Sequence, residues 1–412
     1  MPLTISQQTA KKEFTRFMYN PSKKEFILTS AGGMGKTYLI QYFIDELDII
    51  NKANDLVGKN EIISHIKYCA TTNQAAKILA AHLNGKEVRT VHSTFSLRRG
   101  FDKNTGDEYF FKPKNASVDI KPNTLLFIDE ASYISEPLLK IIRDNIPANC
   151  KIVFIGDDKQ LTPVNYDTSP ALDVINIPYA ELDEYVRFDN PDLIGLNIEL
   201  RASVAENRLP KIKTNDSVVI LNKTDFTHYL LKAAKDALDF KVIAWTNNKV
   251  KYYSNLVHKQ LYGDTKYNIG QKLIAKGTFK NNSGNLINTQ SDLIIKGNPI
   301  EKIRNLEGTN ISFINLLTDL GTLSIPESLP AAMKAIKHFK DNKEWGSWYN
   351  YKDQFANVIN GNSITAHSSQ ASTFDIVFVD LQDIMRNKKF NEMLRLIYVA
   401  SSRAKNKVIY LV

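Results

Sequence analysis

Cysteine is nearly absent from this chain: two residues in 412, Cys69 and Cys150. Neither has a second cysteine or a histidine at metal-ligand spacing, which excludes a disulfide scaffold and the common zinc motifs and suits a reducing compartment. The seven histidines are scattered without a metal pattern. No apolar run approaches the ~18–20 residues of a membrane helix. Met1 to Phe14 has no apolar core followed by small residues and reads as no secretory signal. Short-period repeats and low-complexity tracts are missing as well. What remains is a chain with 43% hydrophobic and 24% charged residues, the composition of a globular protein. Its 53 Lys+Arg against 44 Asp+Glu leave a net charge of +9, which favours a polyanionic partner. The length suggests two or more domains.

Short apolar runs alternate with helical stretches through the first half. Glu25–Thr29 reads as a strand, Lys36–Leu47 as a helix, Ile62–Ala70 as a strand and Gln74–Leu83 as a helix. Leu125–Ile128 and Ile152–Ile155 are continuous apolar runs of the kind that fill buried parallel strands. The pattern restarts with strands at Lys241–Trp245, Asp375–Asp380 and Val408–Val412 and helices at Asn248–Tyr262 and Glu392–Ser402. Two α/β cores are expected. Lys266–Ile359 differs in texture, with Gly and Asn clusters, short β runs, an Ala/Lys-rich helical stretch (Leu329–Asp341) and aromatics at Trp345, Trp348, Tyr349 and Tyr351. It reads as an inserted small β domain with a projection. A second insertion, Thr94 to Pro122, carries a hairpin-turn signal at Lys103–Asp107 between Phe101 and Tyr109–Phe111.

Between the first strand and helix lies Ser30-Ala31-Gly32-Gly33-Met34-Gly35-Lys36-Thr37. A loop of backbone N–H groups at a helix N-terminus cradles phosphates, and glycines allow close approach. Lys36 would reach the β/γ-phosphates and Thr37 would ligate Mg²⁺, with Ala31 to Tyr38 forming the nucleotide cradle. The pattern usually starts with Gly; here that position is Ser30. After the run LLFI come Asp129 and Glu130, placed to hold Mg²⁺ (Asp129) and to deprotonate the attacking water (Glu130). Gly156-Asp157-Asp158-Lys159-Gln160 follows the next strand and puts a neutral amide, Gln160, where it could touch a γ-phosphate.

The order SAGGMGKT, DEAS, GDDKQLTP resembles superfamily 1 helicases, and more narrowly the superfamily 1B branch of RecD- and Dda-like DNA helicases. Leu3–Gln7 is similar to that family's Q motif, which would have Gln7 read adenine. Ala70–Ala76 and Thr90–Ser93 resemble motifs Ia and Ib. Leu182–Arg187 resembles the segment supplying an arginine to the γ-phosphate. Ala244–Asn247 resembles the opening of the second core, Thr365–Gln370 motif V, and Leu396–Ala404 motif VI with Arg403 as arginine finger. Relatives usually carry Lys and Gly where this chain has Ser368 and Ala371, and Thr at Ser402.

The resemblance implies an α/β fold of two RecA-like parallel-sheet cores. The first spans 1–93 and 122–186 with a β-hairpin pin at 94–121. The second spans 187–265 and 359–412, with an SH3-like β domain and projection inserted at 266–358. It implies ATP and Mg²⁺ as cofactors, and Lys36, Asp129, Glu130, Gln160, Arg187 and Arg403 as the catalytic set. It places single-stranded DNA against Thr72, Asn73, His92, Phe95, Asn247, His367 and Ser368, with Phe110 or Phe111 as the wedge at a fork. The implied activity is ATP-dependent 5′–3′ translocation and unwinding by a monomer in the cytoplasm (of the host, for a virus), with single-strand-binding or replication proteins as partners and no membrane. A nucleic-acid-stimulated ATPase that remodels protein–nucleic acid complexes, or an RNA helicase, would share the same motifs.

Overall fold

The computed structural model describes residues 2–58, 63–101, 108–163, 166–186, 190–306 and 309–412. The chain divides into two compact units. One comprises Met1–Val218, Gln370–Thr373 and Asn387–Asn406, the other Val219–Ser369, Phe374–Arg386 and Lys407–Val412.

In the first unit, in chain order, come α1 (Ile5–Tyr19), β1 (Glu25–Ser30), α2 (Lys36–Leu56), β2 (His65–Ala70), α3 (Asn73–His82), β3 (Val88–Thr90), α4 (Val91–Thr94), β4 (Arg98–Phe101), β5 (Glu108–Phe111), β6 (Thr124–Asp129), α5 (Glu136–Asn145), β7 (Lys151–Gly156), β8 (Tyr179–Leu182) and α6 (Pro191–Ala205). Six strands form one sheet in the order β3-β2-β6-β7-β1-β8, every neighbour parallel. All six residues of β7 are buried, and so are the first five of β6, because helices cover both faces. On one face Phe14 stacks on Phe43 at 4.1 Å and both pack on Phe26. On the other, Ile27, Ile128, Phe154, Leu139 and Ile142 close a second layer. Phosphate-binding loops belong at the carboxyl ends of such strands, and here β1, β6 and β7 deliver Ser30, Asp129 and Gly156 to the same end. The late helix Phe390–Ser401 belongs to this unit and packs on α6. β4 and β5 pair as an antiparallel hairpin with Gly100 opposite Tyr109; the turn expected at Lys103–Asp107 lies outside the described residues.

The second unit's main sheet runs β19-β10-β20-β21-β9, built from β9 (Val218–Leu221), β10 (Phe240–Ala244), β19 (Ser363–Thr365), β20 (Phe374–Asp380) and β21 (Ala404–Leu411), with β10 parallel to β19 and β20. The helices Lys223–Lys235, here α7, and Asn247–Tyr262, α8, cover it. Between α8 and β19 the chain forms smaller antiparallel sheets. One is β14-β11-β18, from β11 (Lys272–Ala275), β14 (Asp292–Ile294) and β18 (Val358–Asn360). Another joins β15 (Ile300–Leu306), β16 (Thr309–Thr318) and β17 (Gly321–Pro326). A two-stranded ribbon pairs β12 (Phe279–Lys280) with β13 (Leu286–Ile287). The helices Leu329–Asp341 and Trp345–Tyr351 pack on the middle sheet, where Phe339, Tyr351 and Trp348 join Ile311 and Phe313. Trp348 is thus a packing residue, while Trp345 is half exposed.

Candidate active site

The loop after β1 takes its shape from two glycines in the left-handed region, Gly33 (φ 86°) and Gly35 (φ 83°). Ser30 is not among the positive-φ residues. It ends β1, fully buried, with its hydroxyl donating to Ala31 O at 3.0 Å. A serine therefore fits the position where the pattern starts with glycine, at no backbone strain. A Cβ on Gly35 would come within 2.6 Å of Gln7 Nε2, whereas one on Gly32 would meet nothing within 4 Å. The Gln7 amide is committed at both ends: Nε2 donates to Met34 O at 3.1 Å, and Oε1 accepts from Thr4 N–H at 3.2 Å. Gln7 is buried against the loop and braces it; neither it nor Met34 lines the cavity beyond.

That cavity, of about 660 Å³, is lined by Ala31, Gly32, Gly33 and Gly35 through Tyr38, then by Asp129, Glu130, Gln160 and Arg403. Lys36 Nζ donates to Ser30 O (2.7 Å) and Ala31 O (3.0 Å). Burial depresses its pKa, and the nearby Asp157, Glu130 and Asp129 oppose that fall. Asp129 Oδ1 accepts from Glu130 N–H at 2.9 Å. Burial raises the pKa of Asp129. Glu130 is pushed up to about 7, by burial first and Asp129 second, with Lys36 and Arg403 pulling the other way. Glu130 also has φ 54°, a left-handed conformation that strains a non-glycine residue by about 1–2 kcal/mol.

Arg403 is buried. Its Nε donates to Val399 O at 3.0 Å and its Nη2 to Ser402 Oγ at 3.1 Å. Ser402 thus supplies the same hydroxyl that the family's threonine would. Gln160, also buried, donates from Nε2 to Asp157 Oδ2 (3.3 Å) and accepts at Oε1 from Gln370 Nε2 (3.3 Å). Arg187 lies outside the described residues.

Several residues at this site escaped sequence reasoning. Asp157 is a buried hub: Tyr398 donates its hydroxyl to Oδ2 at 2.7 Å, and Arg201 Nη1 sits 3.4 Å from Oδ1. Arg395, buried one turn before Tyr398, donates to the carbonyls of Asp158, Gln160 and Asp167 at 2.6–2.9 Å. Tyr42 and His82 extend the cavity along α2 and α3. Tyr38 and Tyr42 meet edge-on at 5.2 Å. Their i, i+4 spacing beside a phosphate loop was the available signal.

These residues fit a nucleotide with its divalent ion. The open space beyond Gly32 and the row of backbone N–H groups suit phosphates. Thr37 and Asp129 suit Mg²⁺, which commonly takes one or two protein oxygens and completes its shell with phosphate and water. Accordingly, no group of three or more metal-ligating residues occurs among the described ones.

Of the nucleic-acid candidates on the first unit, Thr72 and Asn73 are exposed at the start of α3, where the Thr72 hydroxyl accepts from Ala75 N–H. His92 lies 4.2 Å, ring to ring, from Phe110. Phe110 and Phe111 are exposed at 38% and 39%. Phe95 is a correction: its ring is fully buried among Ile27, Leu126 and Ile134 and offers no face to a base. On the second unit Asn247 and His367 are exposed and Ser368 is half-buried.

A family model described as an AAA domain matches residues 6–223, more than half the chain. The chain belongs to that family. A second model, a UvrD-like helicase C-terminal domain, matches residues 361–411. The ATP-dependent DNA helicase Dda of Enterobacteria phage T4 is 26% identical over 267 residues, 61% of this chain and 56% of that protein. A mimivirus protein, R530 of Acanthamoeba polyphaga mimivirus, is 22% identical over 98% of this chain and 99% of its own length. The fold matches that of the Pif1 helicase from Candida albicans with a TM-score of 0.53 at 16% identity, covering 100% of this chain and 94% of that one. In these matches the chain is similar to superfamily 1B helicases of the Pif1/Dda kind.

Proposed function

We propose that this protein is an ATP-dependent DNA helicase that moves 5′ to 3′ along a single strand. The observation that carries the reading is one cavity lined by Lys36 and Thr37 of the phosphate loop, the half-buried Asp129/Glu130 pair, Gln160 and Arg403. Phosphoryl transfer needs positioning and charge neutralisation more than covalent help. Lys36 and Arg403 supply positive charge from two sides, and Glu130, raised toward neutrality, is a base for water. Thr37 and Asp129 would hold Mg²⁺, which adds charge neutralisation when bound. Arg187 is proposed as a further cation at the γ-phosphate. Tyr38 is proposed at the nucleotide, and Gln7 as the brace of its loop. Thr72, Asn73, His92, Asn247, His367 and Ser368 are proposed along the strand.

The Dda name specifies DNA and ATP for that relative, and the net charge of +9 suits a polyanion here. A monomer acting on forked duplexes, with single-strand-binding or replication proteins as partners, is part of the same reading. Among the described residues no helix is long and apolar enough to cross a membrane.

The test is unwinding of duplexes with a 5′ or a 3′ single-stranded tail, beside ATPase assays with DNA and RNA of one sequence. The expected result is ATPase stimulated by single-stranded DNA, unwinding from the 5′ tail, and loss of both in Lys36→Ala. Unwinding from the 3′ tail alone would overturn the polarity. Stimulation by RNA only would move the substrate to a 2′-hydroxyl reader.

A further inference from the structure

Position 368 holds a serine, and its surroundings are neutral. Gln290 Nε2 donates to Ser368 Oγ at 3.1 Å, and Thr365 Oγ1 bonds the same oxygen at 3.0 Å. Gln290 is fixed in turn by its N–H, which donates to Ala275 O at 2.8 Å at the end of β11. The next residue after Ala275 is Lys276. Its own N–H donates to Asn357 O at 2.8 Å, and its ammonium donates to Asn247 Oδ1 at 3.3 Å. From the inserted segment, Lys276 thus meets Asn247, the first residue of α8, and Gln290 meets Ser368, in the turn after β19. The hydrogen bond from Gln290 N–H to Ala275 O, the residue before Lys276, ties the two pairs together.

Lys276 is the odd member. It is half-buried, and among the described residues no carboxylate offsets the burial that lowers its pKa. Lys249, on the first turn of α8, differs: its ammonium lies 3.3 Å from Asp380. A cation drawn out of water against a neutral amide is costly unless an anion completes the site. Asn247 can accept from the ammonium with its oxygen while its amide NH₂ donates to a neighbouring acceptor. The pair thus offers donors to a single oxyanion.

We propose that Lys276 and Asn247 grip one backbone phosphate of the bound single strand, with Lys276 supplying the cation that the neutral Ser368 does not. This rests on the nucleic-acid reading above. A phosphate contact positions the strand without reading its sequence.

The experiment is equilibrium binding of the full chain to fluorescent oligo-dT over a salt series. Each single-strand phosphate contact contributes about 0.7 to the slope of log K against log salt. Lys276→Gln keeps a hydrogen-bonding group beside Asn247 but removes the charge. Its slope should be shallower by about 0.7, with the largest affinity loss at low salt. Lys276→Arg should keep the wild-type slope, and Lys276→Gln with Ser368→Lys should regain it. A Lys276→Gln slope equal to wild type overturns the contact alone. A wild-type chain that binds no polynucleotide overturns the functional reading and the contact together. Should Lys276→Gln fail to fold, amine acetylation of the wild type read by mass spectrometry decides: oligo-dT should protect Lys276, and equal labelling with and without it overturns the contact.

Discussion

Three non-glycine residues at the nucleotide cavity stand in the left-handed region, Asn84 (φ 54°), Glu130 (φ 54°) and Ala371 (φ 62°). Ala371 occupies a position where the family resemblance leads one to expect glycine, and its φ explains why: a Cβ there costs about 1–2 kcal/mol, partly offset by glycine's larger chain entropy. Ala371→Gly should therefore raise the thermal midpoint, by an amount corresponding to about 0.5–1 kcal/mol. An unchanged or lower midpoint would mean the backbone is not strained there. At Glu130 the prediction concerns pH. Burial and Asp129 raise its pKa to about 7, so below that pH the carboxyl is protonated and cannot accept a proton from water. The acidic limb of kcat/KM for ATP should fall near pH 7 rather than near the ordinary glutamate range of about 4.3. A limb below pH 5 removes Glu130 as the base. At this scale the sequence was most legible where neighbours in sequence are neighbours in space, as in the phosphate loop and the Asp129–Glu130 pair. It was silent on Asp157, whose partner Tyr398 is 241 residues away. It misjudged Phe95, because spacing alone does not tell a buried ring from a stacking one.

Among the elements, the hairpin β4–β5 presents its aromatics on two faces. Successive strand residues alternate sides. Phe110 faces His92, while Tyr109 and Phe111 share the other face with rings 5.9 Å apart. Tyr109 lies across Gly100, where an added Cβ would come within 2.8 Å of its ring. Phe110→Ala should loosen the hairpin from its core, whereas Phe111→Ala removes an exposed ring and little packing. Both should lower base pairs opened per ATP in a coupled unwinding and phosphate-release assay. Unwinding that persists in both variants would place the wedge elsewhere. The helix Phe390–Ser401 is held differently, by Arg395 on three loop carbonyls and Tyr398 on Asp157. Tyr398→Phe leaves a buried carboxylate oxygen with one donor fewer, a loss of about 1–3 kcal/mol. Thermal melting should register it, and a midpoint equal to wild type would mean the hydrogen bond adds nothing. Strands were easy to foresee because continuous apolar runs such as LLFI and IVFI mark buried parallel strands. Helices such as α6 were not, since α6 mixes polar and apolar residues on all sides and is defined by its Asn190 cap and its packing.

For the whole molecule, the informative feature is where the chain passes from one unit to the other. The motif V run is split: Thr365–Ser369 belongs to the unit that carries Gln290 and Lys276, and Gln370–Thr373 to the unit that carries the nucleotide cavity. Two residues apart on one backbone, Ser368 bonds Gln290 and Gln370 bonds Gln160. The strand contact proposed at Ser368 and the phosphate contact proposed at Gln160 are thus joined by a covalent path three residues long. Coupling along so short a path would pass through the backbone at Ser369 to the Gln370 amide, and needs a direct test. Gln370→Leu keeps the size of the side chain and removes its donor to Gln160. Turnover without nucleic acid should fall little, because Lys36, Glu130 and Arg403 are untouched. Stimulation by single-stranded DNA should fall several-fold, with the affinity for DNA retained. Equal losses in basal and stimulated turnover would show that Gln370 merely supports the cavity and that the signal travels by another route.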